Sequence, residues 1–516
     1  MWRLPSLPAA TAGLLMCLAP EVVRGDDAAT LAKLIDRHVN ARLDSEGLTR
    51  VPQADDAEFL RRAFLDLHGV VPSGERAAKF LRSHDPEKRA QLIEELLASP
   101  RFGKHFGDVW RGRLISPLAN EQRIQTERFA DWLANRFNKN DGWDRIAFDL
   151  LTATGKIDEN PAVTYLIEGR YPLSVTDLTD LSSRYFLGIR LNCAQCHDHP
   201  FVEWKRQDYW RMAAFFAPIQ TPGRPKVVYL AGVRDDPKIT LASLKDADAI
   251  EGLQLQPPIF LGGQEFKAGG DKTHRVALAE WITSQANPYF SRAMVNRTWW
   301  HFFGRGIVNP VDDMHAGNPP SHSELLDQLS QRFADSGFDL KLLCRAIASS
   351  RTYQQTSRSG KQADSEAKLF ARMSIKVLTP EQLYDSLVAI LGPPAKGSGI
   401  DIRLGARQEF CQFFAGDGDP DPTRYERGIP HLLRLMNSPQ FAGRNVAALV
   451  LRIAPPNRSA DEVVEQLFLA ILARRPTTAE QDLVQDKLRD SDALPQTVYR
   501  ELAWALLMSS EFSLNH

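Results

Sequence analysis

The sequence comprises 516 residues with a formal net charge of −1, of which 43% are hydrophobic and 25% are charged. This length is typical of two to four domains, and the composition is that of a globular protein. The near-zero net charge gives no electrostatic basis for binding nucleic acid or an anionic membrane surface. Five cysteines are too few for a disulfide scaffold.

Residues 1–25 have the pattern of a secretory signal peptide. Arg3 precedes an apolar run from Leu7 to Pro20, and Val23 and Gly25 occupy the −3 and −1 positions of a cleavage site. The run is too short to span a bilayer, and no later segment is apolar enough to do so. The sequence therefore predicts export to the periplasm or the cell surface, with no transmembrane segment after cleavage.

Residues 27–218 are predicted to form an N-terminal helical domain. Apolar residues recur at helical spacing in seven segments. Gly69 is predicted to end the second segment, while Pro86 and Pro100 are predicted to begin and end the third. The segments are 29–43, 56–69, 85–100, 127–137, 144–155, 176–188 and 207–218.

Residues 219–270 change character, because short β-branched runs alternate with proline and glycine. They predict a small insert of strands and loops. Helical periodicity returns in residues 271–516, where Ser321–Glu324 and Thr379–Gln382 match capping boxes. The predicted fold class is therefore mainly α, with two helical domains and a small β/loop insert between them.

The stretch LNCAQCHDHPF at residues 191–201 carries the most informative chemical pattern. Covalent attachment of a c-type haem needs two thiols spaced to meet the two vinyl groups, and a histidine directly after the second thiol to bind iron. Cys193, Cys196 and His197 satisfy this pattern. Such attachment usually occurs in an exported compartment, so the motif agrees with the predicted signal peptide. It predicts haem c, with His197 as the proximal iron ligand.

The same atoms are compatible with two other kinds of site. Cys193, Cys196, His197 and His199 together offer the four ligands that zinc requires. Structural zinc sites usually take their second ligand pair from a distant segment, and the sequence has no second C-x-x-C or H-x-x-x-H pair. Exported thiols also oxidise, which makes a Cys193–Cys196 disulfide the third interpretation.

A second axial ligand for a haem iron must come from outside the C-x-x-C-H motif, or be water. His199 follows His197 too closely to reach the opposite face of the same iron easily, so it is expected either to support the site from beside it or to be an ordinary loop histidine. Other histidines and methionines are candidates, although each is also typical of a packed or surface position. These candidates are His105, Met212, His301, Met314 and His315.

The chain resembles the planctomycete-type, cytochrome-associated exported proteins of unknown function. The motifs that carry the resemblance are FLRRAFLDLHGVVPS, LLASPRFGKHFGDVW and CAQCHDHPFVEWKRQDYWRMAAFFAP, then RAMVNRTWWHFFGRGIVNPVDDM and LKLLCRAIASSRTYQQTS. The resemblance implies an N-terminal cytochrome-like domain, paired with a C-terminal domain of unknown function. It also implies that Cys193, Cys196 and His197 are the haem positions. Asn296, Arg297, His301 and Gly304 match a family motif without an established role.

The leading functional hypothesis is an exported c-type haem protein that transfers electrons to or from a partner oxidoreductase. A non-haem metalloprotein, with zinc as the alternative cofactor, is the second hypothesis. A non-catalytic scaffold or surface protein without a cofactor, in which Cys193 and Cys196 form a disulfide, is the third. The sequence shows no clear nucleophile–base pair and leaves an enzymatic role undecided.

Overall fold

The computed structural model is mainly α-helical, as predicted. It describes residues 21–115, 126–167, 174–200, 202–220, 232–241, 258–266, 272–358, 364–392, 405–414, 421–424, 443–490 and 494–516. Helices account for 62% of the structure and strands for 5%. Residues 1–20 of the predicted signal peptide lie outside the described residues.

The N-terminal helices follow the predicted apolar periodicity closely. Gly69 ends the second helix in a left-handed conformation, with φ of 67°, as predicted. Pro100 follows the end of one helix and also occupies the first turn of the next helix, which Ser99 caps. The α-helices are Glu21–Ser45, Asp56–His68, Gly74–Arg82, Lys88–Ala98, Pro100–Leu114, Thr126–Asn138, Trp143–Thr152, Thr164–Ile167, Val175–Ser182 and Arg206–Ala213.

The C-terminal helices include one confirmed and one wrong capping prediction. The Thr379 capping box is present, with Gln382 completing it. Ser321 does not cap a helix; its hydroxyl donates to the Ile307 carbonyl, and the helix begins at Ser323. The α-helices are His274–Thr283, Phe290–Phe303, Ser323–Asp335, Leu340–Ser349, Asp364–Lys368, Pro380–Leu391, Ala406–Phe414, Arg444–Ile453, Ala460–Leu472, Thr478–Asp490, Pro495–Leu507 and Ser510–Ser513.

The described strands are short and form two small antiparallel sheets. The first sheet has Gly232–Asp235 in its centre, between Gly155–Lys156 and Ile219–Gln220. The second pairs Lys376–Val377 with Leu514–Asn515, which brings the end of the chain back to its middle. The described part of the predicted insert thus contributes two strands, of which Gly232–Asp235 pairs with the N-terminal helical region.

Two hydrophobic cores organise the described side chains. The first core combines residues of the 28–217 region with residues of the 260–373 region, and so crosses the predicted insert. The second core consists mainly of residues between 378 and 512. The helix Asp56–His68 contributes to both, since Phe59 packs in the first core and Leu65 in the second. The division into two cores does not test the predicted domain bounds, which remain a prediction.

Four charged residues of the helix Asp56–His68 are fully buried: Glu58, Arg61, Arg62 and Asp66 are each 1% exposed. A buried charge is stable only when it is paired and hydrogen-bonded. Asp66 accepts bonds from the Lys376 ammonium at 2.6 Å and from the Asn515 amide at 2.7 Å. Its other carboxylate oxygen accepts the Tyr353 hydroxyl at 2.9 Å.

The remaining three charges bind backbone groups from distant parts of the chain. Arg61 donates to the carbonyl oxygen of Phe512 at 2.8 Å, and Arg62 donates to that of Gln355 at 2.8 Å. Glu58 pairs with Arg62 and accepts the Ser357 backbone N–H at 2.6 Å. These contacts join one early helix to segments about 300 and 450 residues later.

In the part of the chain that the structure describes, no helix combines the length and the apolar character needed to cross a membrane.

We expect Lys376→Met to lower the free energy of unfolding by about 3–5 kcal/mol, because it leaves the buried Asp66 carboxylate without its cation while keeping most of the side-chain volume. Lys487→Met is the matched control, since its partner Glu501 is 55% exposed and such pairs contribute about 1 kcal/mol or less. Urea unfolding of both variants measures the difference. Equal losses would show that the Asp66–Lys376 pair does not stabilise the fold.

We also expect the protein to lose stability as the pH falls from 6.5 towards 4. Burial lowers the pKa of His322 to about 4, with Arg42 and His38 lowering it further. The unfolded chain therefore binds more protons than the folded one below pH 6.5, so stability falls with pH. At pH 5 this single histidine accounts for about 2 kcal/mol of that loss. His322→Phe keeps the ring contact with Phe370 and should reduce the pH slope of unfolding.

The exposed His84 provides the control for this measurement. His84→Gln should retain the wild-type pH dependence of the unfolding midpoint. His68, His301 and His516 also have lowered pKa values, so His322→Phe should remove only part of the pH slope. An unchanged slope in His322→Phe would contradict the contribution assigned to His322.

Candidate functional site

The motif cysteines lie in a short exposed loop. A π-helical turn, Ser183–Leu187, ends at Gly188, which has φ of 68°, and the 3-10 turn Asn192–Gln195 follows. Cys193 and Cys196 are both exposed and both carry free thiols. Ala194 between them is fully buried. The turn is therefore anchored by its small apolar residue while both sulfur atoms face solvent.

The segment that follows the loop in the chain holds it through two hydrogen bonds. The Trp210 indole N–H donates to the Gln195 carbonyl at 3.0 Å. The Arg206 backbone N–H donates to the Asp198 carboxylate at 2.9 Å. Trp210 lies on the helix Arg206–Ala213, so this helix holds the motif at two points. The Trp210 side chain is thereby committed to supporting the loop.

His197 has its imidazole oriented by a local hydrogen bond. Its Nδ1 lies 2.8 Å from the Asp198 carbonyl oxygen, and the residue is exposed. A carbonyl can only accept, so Nδ1 carries a proton, and in the neutral ring Nε2 then has the lone pair. This is the tautomer that a histidine adopts when Nε2 binds a metal and Nδ1–H is held by a neighbouring oxygen.

His199 lies beside the motif in a less exposed position. Its backbone N–H donates to the Trp204 carbonyl at 2.8 Å. Partial burial lowers the pKa of its imidazole, the charge of Asp313 raises it, and His315 and His197 lower it further. These interactions bring the 313–315 segment next to the motif. His199 thus lies beside the motif. Its predicted supporting role remains a prediction.

An acidic residue that the sequence analysis did not single out lies beneath the motif. The Tyr209 hydroxyl donates to the Thr176 carbonyl at 3.3 Å. Beside it, burial raises the pKa of the Asp180 carboxyl to about 6, with Asp177 adding to the rise. Burial likewise raises the pKa of Tyr209, helped by Asp180 and by the nearby Cys196. The signal in the sequence is weak, because an aspartate on an amphipathic helix is usually solvated.

The structure places two of the predicted axial candidates inside the fold. Met212 is 0% exposed within the first core. His301 has its Nε2 2.8 Å from the Asp66 carbonyl oxygen, to which it donates, and its ring lies 5.4 Å from that of His105. Burial lowers the pKa of His301 to about 3, with Lys376 as the next cause. Both candidates are committed to packing.

His315 lies near the motif but is engaged through both ring nitrogens. Its Nδ1 accepts the Gly317 backbone N–H at 3.1 Å, so Nε2 carries the proton of the neutral ring. Nε2 lies 3.6 Å from the Asp313 carboxylate. The tautomer of His315 is therefore the opposite of the one that His197 adopts.

Among the described residues, no group of three or more histidine, cysteine, aspartate or glutamate side chains is placed to hold a metal ion. The four zinc ligands considered from the sequence are thus not gathered around one point. The two cysteines and His197 instead project from successive positions of one exposed loop.

Comparison with known families divides the chain in two. Residues 34–221 match the family PSCyt2, a protein of unknown function (DUF1549), and include the cysteine loop. Residues 274–407 match the family PSD1, a protein of unknown function (DUF1553). The chain carries two domains of unknown function. The predicted pairing of two such domains is thereby confirmed, without evidence on haem. No curated protein and no solved structure matches the chain.

We expect two thiols to react rapidly with a disulfide reagent in the native, haem-free protein, expressed without cytochrome maturation machinery. A chain beginning at residue 27 lacks Cys17 and has four cysteines. Of these, Cys193 and Cys196 are exposed, whereas Cys344 and Cys411 are buried. Burial raises the pKa of both buried thiols, which removes their reactive thiolate form. Thiol titration should therefore count two groups in buffer and four in denaturant.

Cys193→Ser should lower the native count to one, and Cys344→Ser should leave it at two. A native count of zero that rises to two after reduction would instead establish the Cys193–Cys196 disulfide.

Proposed function

We propose that this chain is an exported c-type haem protein that transfers electrons to or from a partner oxidoreductase. The observation that carries the proposal is the orientation of His197. Its Nδ1 proton is held by the Asp198 carbonyl, and its Nε2 is exposed beside two free, exposed thiols. All three groups that covalent haem attachment requires are therefore accessible in the correct chemical form.

The residues of this loop have separate tasks in the proposal. The Cys193 and Cys196 thiols would each add across a vinyl group, with one S–C bond forming and the thiol hydrogen passing to the other vinyl carbon. His197 would bind iron through Nε2. Asp198 holds the His197 ring, and Trp210 holds the turn through the Gln195 carbonyl at 3.0 Å. The bound haem would supply one-electron redox chemistry.

The surface position of the loop supports a role in electron transfer. Both cysteines and His197 are exposed, so a cofactor attached there would have an edge open to another protein. The net charge of −1 gives no reason to expect nucleic acid as the partner. Export of the chain rests on the signal-peptide pattern of residues 1–25.

We expect covalent haem when the full chain is expressed in a host with cytochrome maturation machinery. Intact mass and a pyridine haemochrome spectrum should show one haem joined by two thioethers. The Cys193→Ser and Cys196→Ser variants should each show one thioether, and the double variant none. The Cys344→Ser and Cys411→Ser double variant is the matched control and should load fully.

The same preparation separates the alternatives. A protein without covalent haem refutes the proposal. Bound zinc by elemental analysis would then support the non-haem metalloprotein, and a Cys193–Cys196 disulfide by thiol counting would support the scaffold.

A further inference from the structure

A cleft of about 710 Å³ opens where three parts of the chain meet, and we call it the junction cleft. Its lining comes from residues 55–81, residues 357–375 and residues 474–516. The first two ranges belong to the two matched domains, and the third follows the second matched domain. Small-molecule sites are commonly clefts of this size at the junction of domains. The residues of the C-x-x-C-H motif do not line this cleft, so its ligand is separate from the proposed haem.

Part of the lining of the junction cleft is apolar. Ala57, Leu81 and Leu514 contribute to it, together with Ile375. Ile375 is 37% exposed, whereas most large apolar side chains of the described chain are buried in one of the two cores. An apolar group seated in the cleft would therefore remove this side chain from water, which is favourable.

Three carboxylates line the junction cleft, and both oxygen atoms of each already have partners. Those of Asp55 accept a backbone N–H at 2.8 Å and a guanidinium N–H at 2.9 Å. Those of Asp56 accept from an ammonium group at 2.6 Å and from a guanidinium at 2.8 Å. Those of Glu511 accept from Arg474 at 2.6 and 2.8 Å. These acidic groups are therefore occupied, and they do not form a site for a cation.

Two guanidinium groups of the junction cleft, in contrast, keep unused donors. Arg475 donates through Nε to Glu465 at 2.9 Å, and its two terminal nitrogen atoms make no hydrogen bond to a described residue. Arg358 donates through Nη1 to Asp55, and its Nη2 likewise has no such bond. Both side chains are more than half exposed, so their unused N–H groups are accessible.

Ser357 provides a third donor, which is buried. Its backbone N–H donates to the Glu58 carboxylate at 2.6 Å, and this bond fixes the residue in place. The residue lines the junction cleft and is 3% exposed, yet its hydroxyl has no hydrogen-bond partner among the described residues. Buried hydroxyl groups are normally hydrogen-bonded, because an unsatisfied one costs free energy. A ligand oxygen in the cleft would accept this bond.

We propose that the junction cleft binds a small organic anion, in which a carboxylate or phosphate is joined to an apolar body. Arg475 and Arg358 donate to the oxyanion, the Ser357 hydroxyl donates to one of its oxygen atoms, and Ile375 packs against the apolar body. The lining favours an anion over a cation because its unused hydrogen-bonding groups are donors. Guanidinium groups suit both kinds of oxyanion, since each offers two oxygen atoms that match the guanidinium fork.

Isothermal titration calorimetry of the full chain tests this inference with phenylacetate, phenylphosphate and neutral phenylacetamide. We expect an anion to bind at least about tenfold more tightly than phenylacetamide, which lacks the charge that strengthens the guanidinium contacts. The order of affinity of phenylacetate and phenylphosphate then identifies the oxyanion as a carboxylate or a phosphate.

Two variants locate the binding in the junction cleft. Arg475→Gln should weaken anion binding about tenfold, through the loss of charge-assisted hydrogen bonds. Ser357→Ala should weaken it about threefold without lowering the urea midpoint of unfolding, because the hydroxyl has no partner in the fold. Arg489→Gln is the matched control and should keep the wild-type affinity. Arg489 is 73% exposed, pairs with Asp486 and does not line the cleft.

Three results would overturn the inference. The first is the absence of binding by both anions, and the second is an equal affinity for phenylacetamide. The third is wild-type affinity in both Arg475→Gln and Ser357→Ala. Because these measurements need no haem, their failure leaves the haem proposal standing, and a protein without covalent haem leaves the anion site standing.

Discussion

The fold depends on the burial of four charges on one helix, Asp56–His68. Removing a carboxylate or a guanidinium from water costs several kcal/mol, so each needs partners that only the complete fold supplies. Those partners come from Tyr353–Ser357, from Lys376 and from the last residues, Glu511–Asn515. These contacts join the first matched domain to the C-terminal part of the chain.

The same charge network extends towards the cysteine loop. Lys376, besides pairing with Asp66, donates to the carbonyls of His301 and Phe302 at the end of the helix Phe290–Phe303. Earlier on that helix, the Asn296 amide donates to the Val308 carbonyl at 2.9 Å and accepts the Val308 N–H at 2.9 Å.

Arg297, on the next position of the helix, pairs with Asp312, which in turn binds Arg184 next to the loop. Gly304 ends the helix with φ of 72°, and a Cβ there would lie 2.8 Å from the Thr423 methyl. Asn296 and Arg297 thus hold the 308–312 segment, whereas His301 bonds the Asp66 carbonyl and Gly304 ends the helix beside Thr423.

Local sequence patterns predicted local structure well. Contacts between distant residues could not be predicted from the sequence. The helix ending at Gly69 and the Thr379 capping box depend on neighbouring residues only, and both are confirmed. Ser321 also matched a capping box, but its hydroxyl is taken by the Ile307 carbonyl, 14 residues earlier. Asp66 and Asn515 lie 449 residues apart. Nothing in the spacing of either residue indicates that pair.

At the site, too, the sequence does not determine which nitrogen atom of each histidine carries the proton. The sequence offers several histidines, and the residue type alone gives each the same two nitrogen atoms. The hydrogen bond that each ring makes then decides its chemistry: His197 is left with a bare Nε2, whereas His315 and His301 keep a proton there. A carbonyl or an N–H placed by the backbone therefore selects which histidine can bind a metal. The spacing of C-x-x-C-H predicts the residues of the proposed attachment site, and the hydrogen bond to the Asp198 carbonyl sets the tautomer of His197.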